Sequence, residues 1–264
     1  MPVHEGRYPD GTPNWVDLMV DDVPAAREFY GALFGWETYD GPPEAGGYTM
    51  ALLQGRPVAG IAPKPEGVPI AAWSLYLAVD DVDATTAKAR EAGATITVEP
   101  MDVLDVGRFA FGIDPTGAHF GLWQGSNHLG SGLVGDPGSM AWHEAMSRDY
   151  TAAKDFYAAL FGWTYTEIGE GGFHYAVVRN GDQDNVAGVG QLPDQTPAEV
   201  PAHWMNYFAV EDVDASAQRV EELGGRITMA PWDTPYGRMS VVQGAQGEMF
   251  ALVKPVPVPD ASRS

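Results

Sequence analysis

The sequence EFYGALFGW at residues 28–36 returns as DFYAALFGW at residues 155–163, with seven of the nine residues identical. A second stretch, WSLYLAVDDVD at residues 73–83, matches WMNYFAVEDVD at residues 204–214. The copies are offset by 127 and 131 residues, so the chain is a tandem duplication. The two halves, residues 13–124 and 140–254, each have the length of an ordinary domain.

A weaker repeat divides each half again. An aspartate ends an apolar strand-like run and opens a helix-like run at four dipeptides: Asp22-Val23, Asp81-Val82, Asp149-Tyr150 and Asp212-Val213. Aspartate is a favoured helix N-cap because its carboxylate accepts hydrogen bonds from the free amides of the first turn. The basic structural unit is therefore half of one copy and is used four times.

Each unit shows a strand, a helix and then further strands. Residues 15–20 read as a strand, and the apolar i, i+4 spacing of residues 29–34 indicates a helix that Gly35 ends. The second unit repeats this order, with a helix over residues 81–92 and strands over residues 109–113 and 119–124. An Asp114-Pro115-Thr116-Gly117 turn joins these last two strands. The pattern predicts an α+β fold.

Composition excludes several classes of function. A net charge of −21 without a basic stripe argues against nucleic acids and membrane surfaces as partners. The lack of cysteine excludes disulfides, thiolate ligands and a cysteine nucleophile. No apolar run is long enough to span a bilayer, and the first residues lack the apolar core of a secretion signal. We therefore expect a cytoplasmic protein.

Three segments lie outside the repeats. Residues 1–12 form an N-terminal arm, and residues 125–139 are rich in glycine and serine, which predicts a linker without a packed element. Residues 255–264 begin with alternating prolines, which favour an extended tail. The predicted organisation is arm, first domain, linker, second domain and tail.

The four tandem units, the FYxxLFGW helix end and the Asp-Pro-x-Gly turn resemble the vicinal oxygen chelate superfamily, which includes glyoxalase I, bleomycin-resistance proteins and extradiol dioxygenases. The strings Trp142-His143-Glu144, Gly237-Arg238 and DPTGAHFGLW at residues 114–123 resemble a two-domain actinobacterial branch described as glyoxalase-like or hydroxylase. The resemblance implies four βαβββ modules in two glyoxalase-like domains, whose curved mixed sheets form cups.

In metal-dependent members of this superfamily, histidine on the first strand of a module and glutamate on a last strand bind the ion. The matching positions carry poor or impossible ligands, namely Trp15, Ser74, Gly121, Trp142, Met205 and Ala251. We therefore expect no cofactor and no metal ion at the usual centre. Metal analysis of the purified protein would distinguish a variant centre with displaced ligands.

His143, His203 and Glu248 come close to a two-histidine, one-carboxylate set that would suit non-haem iron. Strand neighbours point to opposite faces of a sheet. If Trp142 faces the cup, His143 faces away, and Glu248 is out of phase with Ala251 by the same argument. This leaves His143 as a surface or interface histidine, while His203 remains in phase with Met205.

The same alternation directs two carboxylates into the cups. Asp17 follows Trp15 on its face of the first strand, and Glu144 holds the equivalent position beside Trp142. A carboxylate in an aromatic cup would have a raised pKa and could act as a general acid or base. The alternative is a structural salt bridge to Arg108 or Arg238.

Two tyrosines and one histidine complete the predicted acid/base groups. Tyr76 and Tyr207 are equivalent and in phase with the cup, and His119 lies two residues before Gly121 on the same face. We predict Asp17, Glu144, His119, Tyr76 and Tyr207 as catalytic residues. Further contacts to a flat or hydrophobic ligand are predicted from Trp15, Trp142, Met205, His203 and Trp123.

Three functions remain open at this point. The first is metal-independent lyase or isomerase chemistry on a small hydrophobic or aromatic, natural-product-like molecule. The second is a binding protein of the bleomycin-resistance type, in which aromatic walls and negative charge sequester a hydrophobic cation. The third is a metal-dependent dioxygenase or glyoxalase with displaced ligands. Each is compatible with a pseudo-dimeric monomer or a homodimer.

Overall fold

The computed structural model describes residues 3–169 and 172–256, and its first half contains two βαβββ modules, as the repeats predict. The first module comprises β1 (Pro13–Val20), α1 (Val23–Phe34), β2 (Glu37–Asp40), β3 (Thr49–Leu53) and β4 (Arg56–Pro63). The second comprises β5 (Ala72–Ala78), α2 (Val82–Glu91), β6 (Thr95–Val103), β7 (Gly107–Ile113) and β8 (His119–Gly125).

The second half repeats this order. Its first module comprises β9 (Met140–Ser147), α3 (Tyr150–Phe161), β10 (Thr164–Glu167), β11 (Tyr175–Asn180) and β12 (Gln183–Gln191). Its second comprises β13 (His203–Ala209), α4 (Val213–Glu222), β14 (Arg226–Thr234), β15 (Gly237–Gln243) and β16 (Met249–Pro255). Among the described residues, no helix is both long and apolar enough to cross a membrane.

The helix boundaries follow the predicted caps. The side chain of Asp22 accepts a hydrogen bond from the backbone nitrogen of Ala25, and Asp149 does the same for Ala152. Gly35 ends α1 with a φ of 73°, a left-handed conformation that favours glycine. These caps fix the residues at which the helices begin and end.

Modules pair within each half. The first sheet has the strand order β2-β3-β4-β1-β5-β8-β7-β6, and the second has the equivalent order. The first strands of paired modules, β1 and β5, run antiparallel, while β4 and β8 flank them in parallel. Each half therefore forms one open, eight-stranded mixed sheet, which settles a pairing that the sequence left undecided.

The helix-covered faces of both sheets contribute to one hydrophobic core. Tyr30 and Phe34 of α1 contact the second half directly, with ring centroids 5.7 Å from Phe250 and 5.1 Å from Phe208, respectively. The buried helix-face residues of the two halves are continuous. The opposite face of each sheet, which we call the cup face, carries a separate small cluster.

The linker is packed rather than free. Ser131 and Leu133 are buried, Tyr8 of the arm donates a hydrogen bond to the Ser131 carbonyl at 2.7 Å, and the Trp36 indole donates to the Gly138 carbonyl at 2.7 Å. Its small residues allow close backbone approach, and this burial was not predicted from the composition. The strand β16 extends to Pro255, and residues 257–264 of the predicted tail lie outside the described residues.

Candidate functional site

The first cup contains a carboxylate paired with a tyrosine. Asp17 is buried on the cup face of β1, and its Oδ2 accepts a 2.7 Å hydrogen bond from the Tyr76 hydroxyl of β5. Beside it, the Trp15 indole donates to the Tyr48 hydroxyl at 2.9 Å. The Oδ1 atom of Asp17 is buried without a hydrogen-bond partner among the described residues.

The second cup repeats the arrangement with a longer carboxylate. Glu144 accepts hydrogen bonds from Tyr207 at Oε1 (2.6 Å) and from Tyr175 at Oε2 (2.8 Å). The Trp142 indole donates to the Tyr175 hydroxyl at 3.0 Å. Because glutamate is one methylene longer than aspartate, Glu144 has hydrogen bonds from both tyrosines, whereas Asp17 has one from Tyr76 alone.

Glycines on the neighbouring strands leave space for these tyrosines. A Cβ atom at Gly60 would lie 1.8 Å from the Tyr48 hydroxyl, and one at Gly188 would lie 2.0 Å from the Tyr175 hydroxyl. Both glycines pair directly with the carboxylate positions Asp17 and Glu144. Glycine inside a strand commonly marks such a close approach.

Burial sets the protonation of these groups. It raises the pKa of Asp17 to about 7, while the hydrogen bond from Tyr76 opposes the shift. Burial also raises the pKa of Glu144, opposed by hydrogen bonds from Tyr207 and Tyr175 and by the nearby His203. The tyrosine pKa values in both cups are raised as well, mainly by burial, so their hydroxyls stay protonated. Tyr76, Tyr175 and Tyr207 donate to the carboxylates.

The first cup is closed by its own side chains and by the linker. Trp15, Tyr76 and Trp123 are all buried. His128 of the linker meets Trp15 edge-on at 4.3 Å between ring centroids, and its carbonyl accepts a 2.9 Å hydrogen bond from the Trp123 indole. Burial lowers the pKa of His128 to about 4, so a neutral imidazole covers this cup.

The second cup is more open. Trp142, Glu144 and Met205 are half-buried rather than buried. The large residues Phe109, Phe111 and Trp123 of the first cup are replaced at the equivalent positions by Met239, Val241 and Val253. Phe173, which is 50% exposed, stacks on Tyr175 at 5.9 Å, and Tyr236 is 59% exposed. Exposed aromatic surface therefore lies against Tyr175, which donates a hydrogen bond to Glu144.

Several predicted residues do not join these clusters. His119 lies exposed at the start of β8 and makes no hydrogen bond to Asp17 or Tyr76, so it does not join them in one acid/base group. The salt bridges suggested for the two carboxylates are also wrong. Arg108 instead pairs with Asp83 and Asp102, and Arg238 pairs with Asp214 and Asp233.

The three residues of the possible iron site are separated by the sheet. His143 faces the core, as its register predicts, and is buried rather than at the surface, with Nδ1 2.8 Å from the Asn206 Oδ1. Burial lowers the pKa of His143 to about 4. Glu248 is also buried and accepts a hydrogen bond from Tyr30 at 2.7 Å. Only His203 lies on the cup face, so the three cannot converge on one ion.

The residues at the usual metal positions do not fit a metal ion. Trp15 and Trp142 use their indole N–H groups as donors to tyrosines, and Gly121 and Ala251 offer no side-chain ligand. Within residues 3–169 and 172–256, no three His, Asp or Glu side chains come together in a geometry that could hold an ion. At these positions, tryptophan, tyrosine and carboxylate side chains are instead joined by hydrogen bonds.

Tyr48 and Tyr175 are site residues that the sequence reasoning missed. Tyr48 immediately precedes β3, and Tyr175 is the first residue of β11. At such a loop-to-strand boundary the sequence does not show which face of the sheet a side chain lies on. Their offset is again 127 residues, the same as between Trp15 and Trp142 or Asp17 and Glu144. A systematic search for identical aromatic residues at this offset would have found them.

Comparisons with known proteins agree with this architecture. The family model described as "Glyoxalase/Bleomycin resistance protein/Dioxygenase superfamily" matches residues 12–122 and 139–252. Among solved structures, a Mn(II)-bound glyoxalase from Novosphingobium aromaticivorans has a TM-score of 0.65 at 18% identity, covering 93% of this chain and 82% of that one. The 2,3-dioxygenase LapB from Pseudomonas sp. KL28 has a TM-score of 0.65 at 12% identity, covering 97% and 96%.

Two relatives are similar over nearly their full length. A Mycobacterium tuberculosis protein with the provisional name glyoxylase CFP32 is 42% identical over 257 residues, covering 95% of this chain and 97% of that protein. The anthracycline biosynthesis protein DnrV of Streptomyces peucetius is 37% identical over 263 residues, covering 94% of each. The chain therefore belongs to the glyoxalase/bleomycin resistance protein/dioxygenase superfamily.

Proposed function

We propose that the second cup binds a flat aromatic molecule and catalyses proton transfer on it without a metal ion, in a reaction of the lyase or isomerase type. The observation that carries this proposal is Glu144, a carboxylate of raised pKa held between two tyrosine hydroxyls in an open, aromatic-lined cup. Carboxyl groups tuned in this way act as general acids and bases.

The walls of the cup indicate the class of ligand. Trp142 and Trp232 present half-buried indoles, and Phe173 and Tyr236 add exposed rings. Large flat surfaces of this kind favour stacking with a planar ligand. Among the cup-face residues named here there is no lysine or arginine, and the net charge is −21, so a neutral or cationic ligand is favoured over an anionic one.

The relatives supply a chemical context. DnrV is named an anthracycline biosynthesis protein, and anthracyclines are built on fused, hydroxylated aromatic rings. A substrate of this shape would match the indole and phenol surfaces of the second cup. We therefore propose hydroxylated polycyclic aromatic compounds as the substrate class for this chain.

We propose a role for each group in the second cup. Each carboxylate oxygen of Glu144 accepts one tyrosine hydrogen bond and keeps a further lone pair that a substrate proton can reach. The hydrogen bonds from Tyr175 and Tyr207 fix the orientation of the carboxylate and stabilise its ionised form. Trp142 holds the Tyr175 hydroxyl in turn, so the donor to Glu144 is itself positioned.

Tryptophan fluorescence with 1,4-dihydroxyanthraquinone as the probe tests this proposal. We expect saturable quenching with one site per chain, and we expect Trp142→Phe to remove a larger share of the quenching than Trp15→Phe. Glu144→Gln should weaken probe binding by about tenfold, the loss of one hydrogen bond to a charged group. Asp17→Asn is the matched control, because Asp17 lies in the closed cup. Absence of quenching in the unaltered protein would refute the ligand class.

A second function is favoured by one specific observation. Both oxygens of Glu144 are already engaged by tyrosines, an arrangement that also suits a rigid binding wall for a hydrophobic cation. In that case the protein would sequester its ligand. Chromatography of the probe or a natural ligand after incubation separates the two functions, because sequestration returns the compound unchanged and catalysis does not.

A further inference from the structure

His203 has the geometry of an oriented base. It opens β13 on the cup face and is half-buried, and its Nδ1 lies 2.9 Å from the carbonyl oxygen of Pro201. A carbonyl oxygen only accepts hydrogen bonds, so Nδ1 carries the proton in this contact. Within the described part of the chain, the Nε2 atom makes no hydrogen bond. The neutral ring thus has a free lone pair on Nε2.

The position of His203 relates it to Glu144. His203 pairs across the strands with Met146, and Met205 pairs with Glu144, so His203 and Glu144 are diagonal neighbours on one face. Diagonal cross-strand neighbours are about 7–8 Å apart, which leaves room for a ligand atom between the two side chains. The two side chains are close enough that a proton on His203 would lower the pKa of Glu144.

The first cup has no counterpart of this histidine. The position equivalent to His203 is Ala72, which pairs with Met19 in the same register. Conversely, His119 of the first half is replaced by Met249 in the second. The combination of a tyrosine-bound carboxylate and a cup-face histidine held by a carbonyl therefore occurs in the second half alone among the described residues.

We propose that His203 is a second catalytic residue of the second cup, which accepts a substrate proton on Nε2 while the Pro201 carbonyl holds its Nδ1–H. This inference rests on the proposed function. The substrate X–H bond breaks, its electron pair stays on X, and the proton goes to Nε2. The imidazolium is stabilised by the Pro201 carbonyl and the Glu144 carboxylate, and return of the proton to another atom of the same molecule completes an isomerisation without a co-reactant.

Nitrogen NMR of protein labelled with 15N-histidine tests the first requirement without any ligand. The ring signals of His203 are identified by their loss in His203→Gln. We expect the Nδ1–H tautomer, with Nε2 unprotonated when the ring is neutral. An Nε2–H tautomer would overturn the proposal whether or not the second cup binds aromatic compounds, so this result is independent of the proposed function.

Two amide variants and the anthraquinone probe test the second requirement. His203→Asn keeps an amide near Nδ1 that can donate to Pro201, whereas His203→Gln keeps an amide near Nε2 that is not basic. With 1,4-dihydroxyanthraquinone we expect a shift of the Nε2 signal larger than that of Nδ1, and weaker probe binding by about tenfold in His203→Asn. Quenching by the probe with unmoved His203 signals would refute the catalytic role and leave the proposed ligand class standing.

Discussion

Asp114 and Glu248 place carboxylates at equivalent points of the two halves although they come from non-equivalent sequence positions. Asp114 aligns with Gly244, and Glu248 aligns with Ala118. Tyr157 donates to the Asp114 Oδ2 at 3.1 Å, and the equivalent Tyr30 donates to the Glu248 Oε1 at 2.7 Å. A Cβ atom at Gly244 would lie 2.1 Å from the Glu248 Oε1, so this carboxylate fills the space of the missing aspartate.

Both hydrogen bonds cross between the halves, since each tyrosine belongs to the opposite half from its carboxylate. We expect Glu248→Ala to destabilise the protein by about 3 kcal/mol, because it leaves the buried Tyr30 hydroxyl without its carboxyl acceptor. Urea unfolding measures this loss. Addition of Gly244→Asp to Glu248→Ala recreates the arrangement of the first half and should recover part of the stability, since Gly244 lies outside the left-handed region. No recovery would contradict the equivalence.

The continuous core predicts cooperative unfolding of the two halves. The two halves share one buried aromatic cluster, formed by Tyr30 and Phe34 of the first half and Phe208 and Phe250 of the second. Neither half can therefore unfold without exposing buried side chains of the other. We expect one thermal transition, coincident by near-ultraviolet and far-ultraviolet circular dichroism. A fragment of residues 1–139 should lack the near-ultraviolet signal of a packed core. Two resolved transitions in the full chain would show that the halves fold independently.

The raised pKa of Asp17 predicts a specific pH dependence of stability. The carboxyl of the folded protein holds its proton to about pH 7, above its value in the unfolded chain, so the folded state binds more protons in between. Its contribution to stability is therefore lost as the pH rises from about 4 to 7. We compare the free energy of unfolding of Asp17→Asn with that of the unaltered protein. As the pH rises from 4 to 8, we expect the difference to shift in favour of the variant by on the order of 4 kcal/mol. Equal stability differences at both pH values would contradict this.

The residues at the usual metal positions predict that chelators leave the protein unchanged. Because Trp15, Trp142, Gly121 and Ala251 occupy the usual metal positions, treatment with EDTA followed by desalting should leave the melting temperature and the quenching by 1,4-dihydroxyanthraquinone unchanged. Elemental analysis of untreated protein provides the parallel measurement. One equivalent of iron, zinc, nickel or manganese that is lost together with probe binding would show that a metal centre exists with other ligands.

Sequence periodicity was sufficient to predict the modules and the aspartate caps, because these follow from local patterns. The facing of Asp17, Glu144, Tyr76 and Tyr207 followed from strand alternation once the family resemblance had indicated which strand positions line the cup. Sequence periodicity failed where the outcome depends on how distant segments meet. The closure of the first cup by His128 depends on the path of the linker, and the exchange of Asp114 for Glu248 depends on contact between the halves. His119 was misplaced because alternation gives the face of a strand but not the distance along it.

The glycine beside Glu144 offers the sharpest structural test of the candidate site. Gly188→Ala introduces a Cβ 2.0 Å from the Tyr175 hydroxyl, so the tyrosine must move away from Glu144 and from the Trp142 indole. We expect weaker binding of 1,4-dihydroxyanthraquinone by about tenfold, because one donor to the carboxylate is lost. Gly6→Ala is the matched control, since a Cβ there meets no atom within 4 Å. Unchanged binding in Gly188→Ala, with Tyr175 displaced in its crystal structure, would show that the hydrogen bond from Tyr175 to Glu144 does not shape the ligand site.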